Sequence, residues 1–267
     1  MIVSGLGPQK PPCGCARAVN DNTAAASIKT IFFIIIVFSV IRFLLAHSYY
    51  KVIQSFVIFA SMAMEISATE KHPLEPFLPD GARILMLGSF PPARKRWSME
   101  FFYPNWINDM WRIWGLIFYD DREHFVAEEA DGKKAKRFDR ERCAGFAAEK
   151  GIAMYDTACE VRRLKDNASD KFLEVVQATD LNALLEKIPD CMAIVTTGQK
   201  ATDVIVDTFG CEEPPVGDYT ECSIGERQVR FWRMPSSSRA YPLPLEKKAE
   251  FYRKMFTHEL APCFQTL

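Results

Sequence analysis

The apolar pattern changes character once along the chain, and abruptly. Residues 31–41 read IFFIIIVFSVI, Arg42 interrupts, FLLA follows, and a second apolar run spans Val52–Ala63. About 20 apolar residues cross a bilayer, so one reading of residues 28–60 is a membrane anchor whose helix lies near 28–47. Arg42 then has to snorkel from near an end. A signal peptide fits less well, because the run starts late and the basic residues before it are scattered. The other reading is an assigned start too far upstream. Met62 and Met64 fall just before EISATEKHPLEPFLPDG, where the composition turns soluble.

Beyond residue 64 the pattern alternates. HPLEPFLPD (72–80) carries three prolines and reads as an extended lead-in. ARILMLGS (82–89) is a short apolar run closed by Gly-Ser, the mark of a buried strand. FFYPNWINDMWRIWGLIF (101–118) begins as loop and turns helical near Asn108. FDRERCAGFAAEK (138–150) predicts an amphipathic helix stopped by Gly151, and IAMYDT (152–157) a second strand. Asp180 caps LNALLEKI ahead of Pro189, and CMAIVTTG (191–198) is a third strand. QKATDVIVDTF is a helix stopped by Gly210, VRFWRMP (229–235) a fourth strand, and PLEKKAEFYRKMF (244–256) a last helix with Pro in its first turn.

Strands alternating with helices predict an α/β domain over 65–267. We expect a three-layer α/β/α sandwich around a mainly parallel four-stranded sheet, preceded by the apolar segment 1–64. Such sheets bind ligands beyond the carboxyl ends of their strands. Four loops fall there: Gly88–Trp97, Asp156–Asp170, Thr197–Lys200 and Pro235–Tyr241. They carry GSFPP, DTACEVRRLKDNASD, TTGQK and PSSSRAY.

Composition narrows the classes. With 48% apolar and 25% charged residues in 267, collagen-like, low-complexity and wholly disordered chains are excluded. The net charge of −1 hides an asymmetry: residues 65–267 hold 28 basic and 33 acidic side chains. A polyanion partner must therefore meet a local patch, and Arg94-Lys95-Arg96 and Arg162-Arg163 stand beside two of the loops. Eight cysteines include no CxxC or Cys/His ligand spacing, so no metal is expected. Most read as small core residues in a reducing compartment. That predicts a cytoplasmic protein, or a membrane-anchored one with its soluble domain in the cytoplasm.

These motifs, in this order, resemble the uracil-DNA glycosylase superfamily, and most of all its hypoxanthine-DNA (deoxyinosine) glycosylase branch. LGSFPP (87–92), FFYPNWINDMW (101–111), GIAMYDTACEVRR (151–163), TTGQKA starting at Thr197 in its TGQKA core, and MPSSSRAY (234–241) carry the likeness across roughly residues 72–258. Thr197 stands where that family usually has Asn, and Arg239 where it often has Pro. The resemblance implies a monofunctional enzyme that flips a deaminated base, hypoxanthine or uracil, out of DNA and hydrolyses its N-glycosidic bond. It implies DNA as the partner, with no cofactor and no obligate protein partner.

Each candidate residue has a role under that implication and an ordinary alternative. Phe90 and Tyr103 would wall the flipped base, or are core aromatics. The backbone N–H groups of Gly88, Ser89 and Phe90 would stabilise the departing base anion. Asn108 would position the attacking water, or is a helix cap. Asp156 is a second water activator, or a loop cap. Thr197 would touch the base. Ser236, Ser237, Ser238 and Arg239 would enter the groove, with Lys200 on the strand, or form a solvent loop. Asn167, Ser169 and Asp170 read as turn and cap groups. Lys200 resembles a helix-start position, not a Schiff-base lysine.

Two other functions compete. One is a hydrolase with Ser89 as nucleophile, but His72 precedes the domain, His124 lies in a charged stretch, His258 ends the last helix, and no G-x-S-x-G elbow surrounds Ser89. The other is a non-catalytic membrane-tethered DNA-binding module. No Walker motif or G-x-G-x-x-G favours a nucleotide cofactor.

Overall fold

A computed structural model describes residues 69–164 and 172–261, with 33–39, 42, 49–51, 53–55 and 57 of the N-terminal quarter. The chain divides into two units, Met1–Met64 and Glu65–Leu267. In the first, residues 33–39 are helical and their apolar side chains are exposed. No helix among the described residues is long and apolar enough to cross a membrane. Most of the anchor candidate 28–60, Cys13, Cys15, Cys263 and the DNASD turn at 166–170 lie outside the described residues.

The second unit is a mixed α/β domain. Its strands are β1 (Thr69–Lys71), β2 (Ile84–Gly88), β3 (Val126–Glu128), β4 (Lys134–Phe138), β5 (Ile152–Asp156), β6 (Ala158–Arg163), β7 (Leu173–Ala178), β8 (Ala193–Thr197), β9 (Asp218–Ile224) and β10 (Arg227–Met234). Its helices are α1 (Met110–Tyr119), α2 (Arg140–Glu149), α3 (Leu181–Lys187), α4 (Gln199–Phe209) and α5 (Leu245–Glu259). The main sheet runs β5-β2-β8-β10-β9, parallel except for β9.

That sheet has five strands, not the expected four. The fifth, β9, closes a hairpin on β10 through Gly225-Glu226, with Gly225 at φ 57°. A two-residue loop with Gly in its first position is a tight-hairpin signal. It was easy to pass over because β9 is an edge strand, with only Cys222 and Ile224 buried. The described part of the expected site loop Asp156–Asp170, residues 156–164, is also largely strand. Ala158–Arg163 forms β6, the centre of a small antiparallel sheet β1-β6-β7.

The helix signals act as their chemistry dictates. The Asp139 carboxylate accepts from the Arg142 amide at 3.0 Å, and that of Asp180 from Ala183 at 3.1 Å. Gly210 ends α4 in the left-handed conformation. Every side chain of β2 and β5 is buried, as an apolar run sandwiched in a parallel sheet must be. Trp111, Trp114, Phe125 and Phe146 fill the core beside them. Cys143 and Cys191 are buried thiols, as expected. Cys211 and Cys222 depart from that reading: they are bonded as a disulfide, with Cα atoms 5.4 Å apart.

The buried Glu259 carboxylate takes both guanidinium N–H groups of Arg230 at 2.8 Å and the Trp232 indole N–H at 2.7 Å. Burial pushes its pKa up, but these hydrogen bonds outweigh burial and leave it below the usual glutamate value. A depressed carboxylate pKa contributes stability above its unfolded value of about 4.3, lost as pH falls through the folded value. We expect Glu259→Gln to flatten the acid limb of stability below about pH 4.5, read by urea unfolding from pH 3 to 7. An unchanged limb would show that Glu259 contributes nothing there. Among the described residues, the apolar side chains of the second unit's core begin at Leu74. A chain starting at Met62 should therefore unfold cooperatively at the same urea midpoint as the full chain, and a lower midpoint would show that the first unit supports the second.

Candidate functional site

Register brings the site together. In the sheet, Gly88 lies opposite Asp156, Leu87 opposite Thr196, and Met234 opposite Thr197. The carboxyl ends of β2, β5, β8 and β10 thus share one edge. The chain crosses from β2 to β5 on one side, and β8 lies on the other side. Strand order reverses at β2, and α/β sheets open a crevice at such a point. A cavity of about 640 Å³ occupies it.

Of the residues singled out in the sequence, Gly88, Ser89, Phe90, Tyr103, Asn108, Asp156, Thr197, Ser236, Ser237 and Ser238 all line that cavity. Arg239 and Lys200 do not. Arg239 donates from Nε to Asp109 at 2.8 Å, and Lys200 sits half-buried in the first turn of α4. From the basic clusters, Arg96 and Arg163 reach the wall. Arg163 is braced by Glu70 at 2.8 Å and by the Pro91 carbonyl at 2.6 Å, and its guanidinium lies 5.6 Å from the Phe90 ring centre.

Asp156 is the buried anion of the cavity. Its Oδ2 meets Nε2 of His72 at 2.8 Å, and its backbone carbonyl accepts from the Thr179 hydroxyl at 2.7 Å. Its Oδ1 lies so close over Gly88 that a methyl group there would overlap it. Gly88 is glycine because a carboxylate takes the space a side chain would need.

His72 is the residue that sequence reasoning missed. It was set aside as preceding the domain, yet Leu74, Phe77 and Leu78 of the same lead-in pack on the core, and Phe77 exchanges backbone hydrogen bonds with Met154 at 3.0 and 2.8 Å. The lead-in runs along β5 and carries His72 to the end of that strand. The available signal was the one histidine in a proline-rich segment that also carries Leu74, Phe77 and Leu78.

Tyr103 is half-buried with its backbone at φ 52°, a conformation costing a non-glycine residue about 1–2 kcal/mol. Its neighbours hold it there. The Phe102 carbonyl accepts from the Trp111 indole at 3.1 Å, and that of Pro104 from the Ser98 amide and hydroxyl at 2.8 Å. The Tyr103 hydroxyl lies 3.4 Å from Thr197 Oγ1. Burial raises its pKa well above the usual tyrosine range, with the Asp156 charge adding to the effect. It is a neutral wall, not a titrating group.

Asn108 stands one residue before the N-cap of α1, Asp109, and makes a local turn. Its Oδ1 accepts from the Met110 amide at 2.9 Å. One lone pair of the oxygen is thereby used, and the NH2 end is the donor the side chain can offer the cavity. The serine loop is equally fixed. Ser237 O accepts from the Asp109 amide at 2.9 Å, Ser236 Oγ from the Ser238 amide and Ser238 Oγ from the Ala240 amide, both at 3.2 Å. Behind it Lys248, 1% exposed, donates to Ser238 O at 2.7 Å and lies 3.8 Å from Asp109. Burial lowers the Lys248 pKa, and Asp109 opposes that shift. Burial, then repulsion from Arg239, pushes Arg112 down to about 10.

No protein-family model matches this chain, and no curated protein matches it. Among solved structures, it is similar to a solution NMR structure from Methanosarcina acetivorans provisionally named a uracil DNA glycosylase. That match has a TM-score of 0.46 and 20% identity, over 72% of this chain and all of the other.

The Gly88–Asp156 contact can be tested directly. Gly88→Ala should cost about 1–3 kcal/mol, the usual range for overpacking, and Asp156→Ala in the same chain should recover part of it. Urea unfolding of the two single variants and the double reads the coupling. Additive losses would show that the two residues do not crowd each other.

Proposed function

We propose that this protein is a DNA glycosylase that takes a deaminated base, hypoxanthine or uracil, out of the helix and hydrolyses its N-glycosidic bond. The observation that carries the reading is convergence. Five motifs far apart in sequence, each resembling its counterpart in the uracil-DNA glycosylase superfamily, line one cavity at the strand-order reversal. Right-handed crossovers would place α1 and α2 on one face of the sheet and α3 and α4 on the other, the three-layer arrangement of that reading.

The chemistry asks for four things, and the cavity has a candidate for each. A flipped base needs a wall, and Phe90 and Tyr103 supply aromatic faces. The departing base carries the electron pair of the broken C1′–N bond. It needs donors fixed in advance, which are the Asn108 NH2 group and the Gly88–Phe90 backbone N–H groups. The sugar develops positive charge, and the Asp156 carboxylate is the anion in place to face it. Water bonds to C1′ and gives up one proton, with Asp156 Oδ1 as acceptor; the base takes up a proton as it leaves. In this scheme Asp156 handles the water and Asn108 the base, because Asn108 Oδ1 is already bonded to the Met110 amide.

The strand is held at the rim. Arg239 is anchored through Nε to Asp109, which leaves its outer nitrogens to a phosphate, while Arg96 and the serines of the same loop line the cavity. A Ser89-centred hydrolase finds no free histidine base among the described residues. Both ring nitrogens of His72 are engaged, by Asp156 and by Leu74. His124 stacks on Tyr119 and His258 bonds Glu259, and neither lines the cavity.

The test is base release and abasic-site formation by the full chain on oligonucleotides carrying hypoxanthine or uracil. Absence of both would refute the reading, and DNA retention without cleavage would select the binding module. Asn108→Ala should lower the single-turnover rate about 10²-fold or more, the scale for one preorganised donor, with a much smaller change in DNA affinity. Asn108→Asp keeps the oxygen that caps α1 but loses the NH2 group. It should be as slow as the alanine variant; recovery of full rate would mean that Asn108 serves only as a cap.

A further inference from the structure

We propose that His72 is a positioning residue that locks the Asp156 carboxylate in the orientation base excision requires; this rests on the glycosylase reading above. The imidazole is 2% exposed at its side chain and boxed by three rings. Its centroid lies 4.5 Å from Tyr155, 5.3 Å from Phe90 edge-on, and 6.3 Å from Phe102 in a stacked arrangement. It cannot turn without displacing the wall of the cavity.

The hydrogen bonds fix where its proton is. Nδ1 lies 2.7 Å from the Leu74 carbonyl and 3.2 Å from the Leu74 amide nitrogen. If Nδ1 accepts from that amide, the ring proton is on Nε2. If Nδ1 donates to the carbonyl, a bare Nε2 would point a lone pair at a carboxylate oxygen 2.8 Å away, so with Asp156 ionised the ring carries a proton on Nε2 as well. Both arrangements give Nε2–H donating to Asp156 Oδ2.

Three consequences follow for the carboxylate. Oδ2 is taken. Oδ1 packs over Gly88, in the space a side chain there would fill, which limits how far the group can swing. Oδ1 is left as the oxygen that meets a water or the sugar in the cavity. The Asp156 side chain is only 11% exposed, and among the described residues its hydrogen-bond partner is His72. A carboxylate misplaced by a fraction of an ångström loses rate, not affinity, because it acts only in the transition state. The ordinary alternative is that His72 merely staples the lead-in to β5.

The experiment compares the full chain with His72→Leu, His72→Gln, Asp156→Ala and the His72→Leu/Asp156→Ala double variant. The readouts are single-turnover base release, DNA affinity and urea midpoint, with the imidazole Nε2–H resonance of His72 by NMR. We expect His72→Leu to lose about 10–100-fold in rate, the scale for removing the partner that orients a reactive group, at unchanged affinity. His72→Gln, which keeps a donor, should recover most of the loss. The double variant should be no slower than Asp156→Ala alone, since His72 acts only through Asp156. Unchanged rate in folded His72→Leu, or equal losses in the leucine and glutamine variants, or further slowing in the double variant would each overturn the proposal. The NMR arm needs no activity: the Nε2–H signal should move upfield in Asp156→Ala, and a signal that stays put also overturns it. If the wild type releases no base while that signal moves, the glycosylase reading fails and the catalytic role goes with it, leaving only the His72–Asp156 contact.

Discussion

The rim of the site depends on one buried carboxylate. Asp109 immediately precedes α1 and accepts from Arg239 of the serine loop, with Lys248 of α5 and Arg112 of α1 within 4 Å. One anion thus gathers three cations from three segments. Removing it would leave Lys248 and Arg112 buried with uncompensated charge, a loss that for buried pairs runs to about 3–5 kcal/mol. The Asp109 backbone adds to the joint, since its amide donates to Ser237 O. The 235–241 loop is therefore set before any ligand arrives. The net positive charge of the cluster is what a mildly acidic domain needs where a polyanion would lie.

The central strands were legible because burial on both faces leaves mostly apolar side chains. The caps at Asp139 and Asp180 and the stop at Gly210 were legible because one side chain or one backbone conformation decides each. What escaped notice was decided by partners distant in sequence. β6 reads as a polar loop, since Glu160, Arg162 and Arg163 make up half of it, and it becomes a strand by pairing with β1 and β7. β9 hides in the same way behind its half-exposed face.

The candidate site was legible as a set of loops because strand ends in such a sheet must converge. Ten of the residues named from sequence reach one cavity. Their individual geometry was not legible. That Asn108 faces the cavity with its nitrogen follows from the Met110 amide claiming its oxygen. That Arg239 turns to Asp109 follows from a carboxylate 130 positions earlier in the chain. His72 was hidden by proline-rich sequence that reads as a tether but packs as part of the core.

The parallel pairing of β2 with β5 and β8 also bears on how the molecule is made. Neither neighbour of β2 is local: the chain must complete α1, the β3–β4 hairpin and α2 before β5 can pair, and more still before β8 can. Loop closure on that scale precedes any reward from the contacts it makes, and such topologies fold slowly. A helical or hairpin fragment formed early would hold at most one wall of the cavity. The cavity therefore exists only in the finished sheet, so partly folded chains cannot act on a substrate. Anything bound there would favour the complete fold over every intermediate by mass action.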